Sequence, residues 1–280
     1  MDQAVRLARS GFGGDYQRHG RNTLVVTRFT PFLVALLAAC TAKPAPKPPP
    51  APASSQVTDT IDFNSLSARI RDRQISLAEA QPQIRLLLPQ LATRFHANGG
   101  AQADSSNWRF PLAGYTAGAI GGSNGSGYIA NGYDYFDGDA HKGHPAHDIF
   151  IADRNQDAID DVTRKPVPVL SISPGIVVAM ATTWDSTSSL RGGRYIWIYD
   201  PNSGSLFYYA HNSDVLVRLL DIVNAGDTIA TVGRTGFNAY PKRSPTHLHV
   251  MRLVIDSTGV PRPVNLYRQL MQIGGAQLPH

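Results

Sequence analysis

Cysteine is almost absent from this 280-residue chain, and long apolar runs are absent too. Cys40 is the only cysteine, so no disulfide can form within the chain and its stability has to come from a packed core. The most apolar run, residues 29–39, is far shorter than the roughly 20 residues that a membrane-spanning helix needs. Apolar residues still make up 42% of the chain, an ordinary share for a globular protein with a sizeable core.

The same short run predicts an export signal at residues 1–39. Its letters, FTPFLVALLAA, follow Arg28 and are typical of the core of a signal peptide. The sequence LAAC that ends in Cys40 resembles the bacterial lipobox, in which the cysteine becomes the lipidated first residue of the mature protein. We therefore expect a membrane anchor at Cys40 on the periplasmic face of a bacterial membrane. Thr41 replaces the aspartate associated with inner-membrane retention, which favours the outer membrane. The alternatives are an ordinary cleaved signal and an uncleaved anchor.

Charge and glycine content give no support to nucleic-acid or nucleotide binding. The net charge is +5, but residues 1–39 contain five arginines and two aspartates, and the remaining 21 basic and 19 acidic residues leave only +2. Residues 114–138 are rich in glycine, yet no GKS or GKT follows them. We predict that they form a long surface loop.

Residues 61–100 have the spacing of a helical segment. Ser76 and Glu79 fit a capping box, and the apolar residues that follow recur at helical intervals. Pro82 and Pro89 are expected to kink or break the helix. We interpret the segment either as a small helical hairpin that packs on the main domain or as a regulatory arm near its cleft.

Short apolar runs separated by turn residues predict a mainly β domain after this arm. The runs are residues 168–173, 175–181, 195–199, 206–211, 228–232 and 247–255. Their spacing is typical of antiparallel strands, so we predict an antiparallel sheet or sandwich preceded by the small helical segment. The predicted segments are an export signal at 1–39, a proline-rich linker at 40–60, the helical arm at 61–100, the β domain at 107–258 and a C-terminal tail at 259–280.

Six of the nine histidines lie between residues 141 and 249, in positions that predict a metal site. His247 and His249 are two residues apart on a predicted strand, so both imidazoles face the same side. His144 and Asp148 have three residues between them and lead into another apolar run, and His211 ends a third strand. Because catalytic zinc usually takes three protein ligands and leaves one position open for water, two histidines alone do not complete such a site.

Taken together, these motifs resemble the lysostaphin and LytM type of zinc peptidase, which cleaves peptide bonds in bacterial peptidoglycan. The resemblance covers residues 110–255, about half of the chain. Residues 173–177 and 225–236 add to it, because they are similar to linking strands and turns of that family. The resemblance implies that the chain is a zinc endopeptidase whose partner is peptidoglycan.

The resemblance also assigns the site residues. It implies that one Zn²⁺ ion per chain is held by His144, Asp148 and His249. Two neutral imidazoles and one carboxylate leave zinc with a net charge of +1, which suits a metal that activates water and polarises a carbonyl. His211 and His247 are then available to take the water proton, to orient the water or to stabilise the oxyanion, and the family pattern does not say which is the base.

The first motif departs from the family pattern. The family usually has glycine where Ala146 stands, and His141 and His147 are additional candidates near Asp148. Only His144 has the family spacing to Asp148. His147 is expected on the opposite side of the strand, either at the surface or behind the ligands.

Two further functions are compatible with these residues. A silent domain of the same fold would bind the wall or activate a separate hydrolase, but such relatives typically lack one or more of the five metal and catalytic residues, all of which this chain has. A structural lipoprotein would have a closed zinc site with a fourth protein ligand in place of water. The oligomeric state is left open.

Three other groups of side chains allow alternative roles. The acidic stretch 153–161 begins like a calcium loop, but Ala158 and Arg164 replace the glycine and glutamate of an EF-hand, so a solvated loop is favoured over a calcium site. Several aromatic residues are candidates for a substrate groove or for the core: Trp108, Tyr128, Tyr133, Tyr135 and Phe136. Four arginines near the motifs are candidates for pairing with peptide carboxylates: Arg191, Arg194, Arg234 and Arg243.

Overall fold

The computed structural model of the protein describes residues 62–241 and 244–275. The predicted export signal, Cys40 and the proline-rich linker therefore lie outside the described residues, and so does Arg243. Within the described ranges, no helix combines the length and the apolar character that crossing a membrane requires.

Two helices form the arm that the sequence predicts. Helix α1 spans Phe63–Arg71 and helix α2 spans Leu77–Ala97. The side chain of Asp62 caps α1 by accepting the N–H of Ser65 at 2.8 Å. At the start of α2, the Glu79 carboxylate accepts the N–H of Ser76 at 3.0 Å, as the capping box predicts.

Helix α2 continues through both of its prolines, so the prediction of a break there is wrong. Each interior proline costs a helix about 3 kcal/mol. One face of α2 is fully buried, and burying a large apolar side chain stabilises by about 1.5–3 kcal/mol. The buried residues of that face are Ala80, Ile84, Leu88, Leu91 and Phe95. Their packing offsets the two missing backbone hydrogen bonds.

Nine antiparallel strands form one sheet, which confirms the predicted mainly β fold. The strands are β1 Ala146–Phe150, β2 Pro168–Leu170, β3 Gly175–Ala181, β4 Arg194–Asp200, β5 Ser205–Val215, β6 Ile222–Val223, β7 Thr228–Val232, β8 His247–Ile255 and β9 Pro261–Pro263. The central order is β1-β8-β5-β4-β3-β6; β7 pairs with β5 and β2, and β9 pairs with β8. Strand β8 thus lies between β1 and β5, and these three carry most of the histidine motifs.

The sheet has an apolar core on each face. Trp108, Phe207 and Leu248 belong to one core, which has no residue from the arm. The other core joins the arm to the sheet, because Phe63 of α1 and Phe95 of α2 are buried in the same cluster as Trp197. The arm therefore covers one face of the sheet instead of extending away from it.

The described part of the predicted C-terminal tail is packed into the domain. Strand β9 pairs with β8, and a third helix, α3 Tyr267–Ile273, follows it. Leu266 and Leu270 are fully buried in the core on the face away from the arm. A three-residue strand and a two-turn helix are too short to show a clear hydrophobic period. The sequence therefore predicts only a tail here.

The glycine-rich stretch is largely irregular, as predicted, but it contains local structure. The short 3-10 helix Ala117–Ala119 lies within it and a second, Tyr135–Ala140, begins in it; a third, Ser105–Asn107, precedes it. Two isolated bridges tie the stretch to the first histidine motif, Ile120 to Ile149 and Ile129 to His144. The loop therefore fixes the backbone at His144.

Candidate metal centre and active site

Strand register brings the motifs into one cleft. Asp148 on β1 is the direct cross-strand partner of His249 on β8, and Ala210 on β5 is the partner of His249 on the other side. Side chains of directly opposed residues lie on the same face. The cleft has a volume of about 200 Å³, and its lining includes all five residues named from the sequence: His144, Asp148, His211, His247 and His249.

Three of these side chains converge closely enough to hold one metal ion. The His144 Nε2 atom lies 3.2 Å from both His249 Nδ1 and Asp148 Oδ1, and His249 Nδ1 lies 3.0 Å from Asp148 Oδ1. In a tetrahedral site with zinc–ligand bonds of about 2.0–2.1 Å, the ligand atoms are about 3.3 Å apart. The three ligand atoms therefore form a triangle of about the size of one face of such a tetrahedron. Among the described residues, these three form the group that fits a metal ion.

Hydrogen bonding determines which nitrogen of His144 faces Asp148 and His249. Its Nδ1 lies 2.8 Å from the carbonyl oxygen of Gly127. A carbonyl only accepts, so Nδ1 carries the proton, and a neutral His144 presents an unprotonated Nε2 to Asp148. Two acceptors 3.2 Å apart need a proton or a cation between them. The donor set therefore fits a divalent cation that prefers nitrogen and oxygen ligands.

The charge of Asp148 is maintained by its neighbours. Burial would raise the pKa of this carboxyl, but the imidazoles of His144 and His249 hold its pKa well below the ordinary value. The residue is therefore anionic at neutral pH.

His211 owes its orientation to a β-bulge. Arg194 pairs with Asn212 and Ile196 pairs with Tyr209, so Ala210 and His211 together oppose the single residue Tyr195. The backbone of His211 has a φ of 67°, in the left-handed region. Without the bulge, alternation would point His211 to the same face as buried Tyr209. The extra residue turns the imidazole toward the cleft, a common use of bulges at active sites.

The ring of His211 is buried and anchored by its Nδ1 atom. That atom donates to the carbonyl of Thr235 at 2.8 Å, which leaves Nε2 as the acceptor. Burial lowers the pKa of His211 well below 6.5, and the neighbouring imidazoles of His247 and His249 lower it further. The side chain is therefore a neutral base at neutral pH.

His247 stands beside His211 and is held in a similar way. The two ring centroids are 5.0 Å apart. The His247 Nδ1 atom donates to the carbonyl of Pro245 at 2.7 Å, and its Nε2 lies 3.7 Å from Asp148 Oδ1. Both imidazoles thus present Nε2, the atom that can exchange a proton with a ligand in the cleft.

Most of the acidic loop is exposed or half-buried, in keeping with the favoured solvated loop, but Asp153 is buried and supports the start of β8. Buried Asp153 accepts the hydroxyl of Thr246 at 2.6 Å and the N–H of Ala158 at 2.8 Å. Arg234 donates to the same Thr246 hydroxyl at 3.0 Å. For Asp153 the prediction of a solvated loop is therefore wrong, because its carboxylate positions the residue that precedes His247.

The two additional histidines lie apart from the metal triangle. His147 points to the opposite side of β1, as predicted, but it is only 1% exposed, so the prediction of a surface position is wrong. Its Nε2 lies 3.0 Å from Asn265 Oδ1, and its ring stacks on Tyr128 with centroids 5.8 Å apart. His141 lines the outer part of the cleft and packs against the ring of Tyr133.

The candidate groove residues divide into structural and cleft-lining groups. Trp108 and Tyr135 are buried in the two cores. Arg194 donates to the carbonyls of Thr182 and Ser213, so it joins loops. The guanidinium of Arg191 lines the cleft and donates to the carbonyls of Asp139 and His141.

Tyr208 is a further cleft residue, which the histidine motifs do not include. It lines the cleft, and its ring centroid is 6.0 Å from that of His249. Tyr208 is two residues before Ala210, so alternation along β5 would have placed it on the face of the cleft.

Solved structures to which the chain is similar include three peptidases. A glycyl-glycine endopeptidase candidate of the LytM type from Ruminococcus gnavus is 28% identical over 47% of this chain and 47% of that one, with a TM-score of 0.35. Lysostaphin from Staphylococcus simulans is 21% identical over 62% and 58%, with a TM-score of 0.38. A zinc-containing peptidase from Vibrio cholerae is 21% identical over 62% and 41%, with a TM-score of 0.37. The chain spans about half the length of these proteins.

Because these TM-scores are below 0.5, the family assignment depends on sequence. Residues 154–259 match the model of peptidase family M23. The matched range includes His211, His247 and His249, whereas His144 and Asp148 precede it and are joined to it by the β1–β8 pairing. This part of the chain is therefore similar to peptidase family M23.

Proposed function

We propose that this protein is a zinc-dependent endopeptidase that hydrolyses peptide bonds in the cross-links or stem peptides of peptidoglycan. One observation carries the proposal. Three potential ligand atoms lie as close to one another as the ligands of a metal ion do, and two further imidazoles, each fixed by a hydrogen bond, lie beside them in the same cleft. The family match supports a peptidase, and the relatives include lysostaphin and a zinc-containing peptidase.

In this proposal His144, Asp148 and His249 hold one zinc ion through Nε2, Oδ1 and Nδ1. Bound zinc supplies Lewis-acid polarisation of a carbonyl and a lower pKa for water. Three protein ligands would leave zinc able to take up water as well, as catalytic zinc usually does. A closed structural site would need a fourth ligand, and the described residues offer only these three within ligand distance of one another.

The two remaining histidines carry the proton transfers. His211 and His247 both present an unprotonated Nε2 in their neutral forms, because each Nδ1–H donates to a backbone carbonyl. One of them accepts the proton of the attacking water. Protonated at Nε2, that imidazole becomes a donor and delivers the proton to the amine leaving group, while the other stabilises negative charge on the substrate oxygen. The products are a carboxylic acid and an amine.

We also propose that the protein acts outside the cytoplasm as a lipoprotein. The support is the sequence of residues 29–40, with its apolar core followed by the lipobox-like LAAC. Incorporation of labelled palmitate by the natural chain, and its loss in Cys40→Ser, tests this. Incorporation that persists in the variant would contradict lipidation at Cys40.

Release of soluble fragments from purified peptidoglycan tests the enzyme. We expect release that a chelator abolishes and added zinc restores, together with one zinc per chain. Mass spectrometry of the fragments then identifies the bond. Zinc binding without release of fragments would contradict the enzyme and support a wall-binding or hydrolase-activating domain.

A further inference from the structure

A groove leads from the candidate metal centre to the turn between α1 and α2. We propose that this turn, with Arg73 as its principal residue, forms a subsite for a carboxylate group of the peptide substrate. The inference rests on the proposed function, because it assigns a second contact to the same peptide. It gives the helical arm a role in substrate selection.

Shared walls make the groove continuous with the metal cleft. Asp139, Arg191 and Asn238 line both the cleft at the metal ligands and the neighbouring depression. That depression is also lined by Arg71, the last residue of α1, and by Asp72 and Arg73 of the turn. A peptide that extends out of the cleft past Arg191 therefore meets the arm.

The arm is a fixed wall and not a mobile cover. The Arg71 guanidinium donates to the Tyr195 hydroxyl at 2.9 Å, and Asn64 accepts the backbone N–H of Met180 at 3.0 Å. Gly138 fits directly against the end of α1, since a Cβ atom there would lie 2.3 Å from the carbonyl oxygen of Arg71. No arm residue among those described lines the metal cleft itself.

The charged groups of the groove leave two guanidiniums available. Asp72 is paired with Arg71 through two hydrogen bonds of 2.6 and 2.7 Å. Asp139 accepts the backbone N–H of Arg191 at 3.2 Å, and burial raises the pKa of its carboxyl. The Arg191 guanidinium uses only Nη1 for its two backbone contacts. The backbone N–H of exposed Arg73 donates to the carbonyl of Ile70 at 3.0 Å, but its guanidinium has no hydrogen bond or ion pair within the described residues.

This arrangement matches a peptide that carries an anionic group. Arginine forms two parallel hydrogen bonds with a carboxylate, and the flanking Arg191 adds positive potential. Phe237, whose side chain is 62% exposed, lines the same depression and offers apolar contact to the rest of the peptide. A neutral amide in place of the carboxylate would lose the charge-assisted bonds.

A binding titration separates this subsite from catalysis. The zinc-loaded His211→Ala chain, which should bind peptide without cutting it, is titrated with peptides from digested peptidoglycan and with the same peptides after their carboxyl groups have been converted to methylamides. We expect about tenfold weaker binding of the amidated peptides, the effect of one charge-assisted hydrogen bond. Introducing Arg73→Glu into the His211→Ala chain should remove this preference for the peptides with free carboxyl groups, and Arg73→Gln should reduce it.

Arg268→Glu is the matched control. It makes the same change of charge at an exposed residue of α3 that lines neither the cleft nor the groove, so the preference should persist. Equal binding of both peptide forms, or a preference that survives Arg73→Glu, would overturn the subsite. If the wild-type chain binds with this preference but releases no fragments from peptidoglycan, the enzyme proposal fails and the subsite stands. If the wild-type chain releases fragments from peptidoglycan but binds both peptide forms equally, the subsite fails and the enzyme proposal stands.

Discussion

At the scale of single residues, the cleft separates two kinds of histidine. Nitrogen atoms of His144 and His249 converge with the Asp148 carboxylate in an arrangement that could hold a metal ion, whereas His211 and His247 lie beside this group and are anchored by backbone carbonyls. Imidazole chemistry is the same in all four, so their environments define their roles. Substitutions should therefore separate metal binding from turnover.

Removing a ligand should abolish zinc binding. We expect Asp148→Asn to lose its zinc and all chelator-sensitive activity, because a neutral amide replaces the anionic ligand. Zinc content by atomic spectroscopy on the purified variant is the measurement. Full zinc occupancy in Asp148→Asn would show that the ion is held elsewhere.

Removing a proton carrier should leave zinc bound. His211→Ala is expected to retain one zinc per chain and to lose activity by about 10²–10⁴-fold, the usual contribution of a general acid or base. Zinc content and fragment release are measured on one sample. Loss of the metal together with activity would contradict the assigned division of roles.

The pH dependence of activity should reflect the burial of His211. Because burial places its pKa well below 6.5, the imidazole stays neutral as the pH falls through 6.5. A cation in the cleft lowers this pKa further. We therefore expect the acidic limb of kcat/KM, measured with zinc in excess, to have its midpoint below pH 6.5. A midpoint above 6.5 would mean that another group controls protonation.

At the scale of elements, close backbone contacts attach the arm to the domain. Gly138 has a φ of 52°, and a Cβ atom built on it would lie 2.3 and 2.5 Å from the carbonyl oxygens of Arg71 and Ile70 at the end of α1. Added bulk at this position has to displace backbone, which cannot move as easily as a flexible side chain. The attachment of the arm therefore depends on this glycine.

Gly138→Ala should destabilise the protein more than an alanine at an open glycine. We expect a loss of about 2–4 kcal/mol in the free energy of unfolding, from backbone strain plus overpacking. Gly204→Ala is the matched control, since Gly204 also has a positive φ of 59° but a Cβ there meets nothing within 4 Å. Its loss should be about 1 kcal/mol. Equal losses in urea denaturation would contradict a tight contact at α1.

At the scale of the whole molecule, the proposed metal would connect distant parts of the chain. His144 and Asp148 lie more than a hundred residues before His249, and the chain has a single cysteine, which cannot form an internal link. A ligand that binds the folded chain and not the unfolded one stabilises the fold by mass action. Metal binding should therefore appear in thermal unfolding.

Zinc should raise the thermal midpoint of the wild-type protein. With the ion at about a thousand times its dissociation constant, the stabilisation is about 4 kcal/mol, which corresponds to a rise of about 8–16 °C in a domain of this size. Calorimetry with and without a chelator measures the shift. Asp148→Asn should show no shift, and an equal shift in that variant would place the stabilising ion at another site.

The sequence alone determined the antiparallel β class and the same-face placement of His247 and His249, because both follow from the period of two along a strand. It also determined the capped start of α2, which depends on neighbours in sequence.

Only the tertiary structure decided the remaining features. The turn of His211 into the cleft needs a bulge between β4 and β5, and the burial of His147 needs Tyr128 and Asn265 from distant segments. The continuity of α2 through its prolines depends on the sheet face beneath it. Each of these features is set by contacts between segments far apart in the chain, and the local pattern of residues does not encode such contacts.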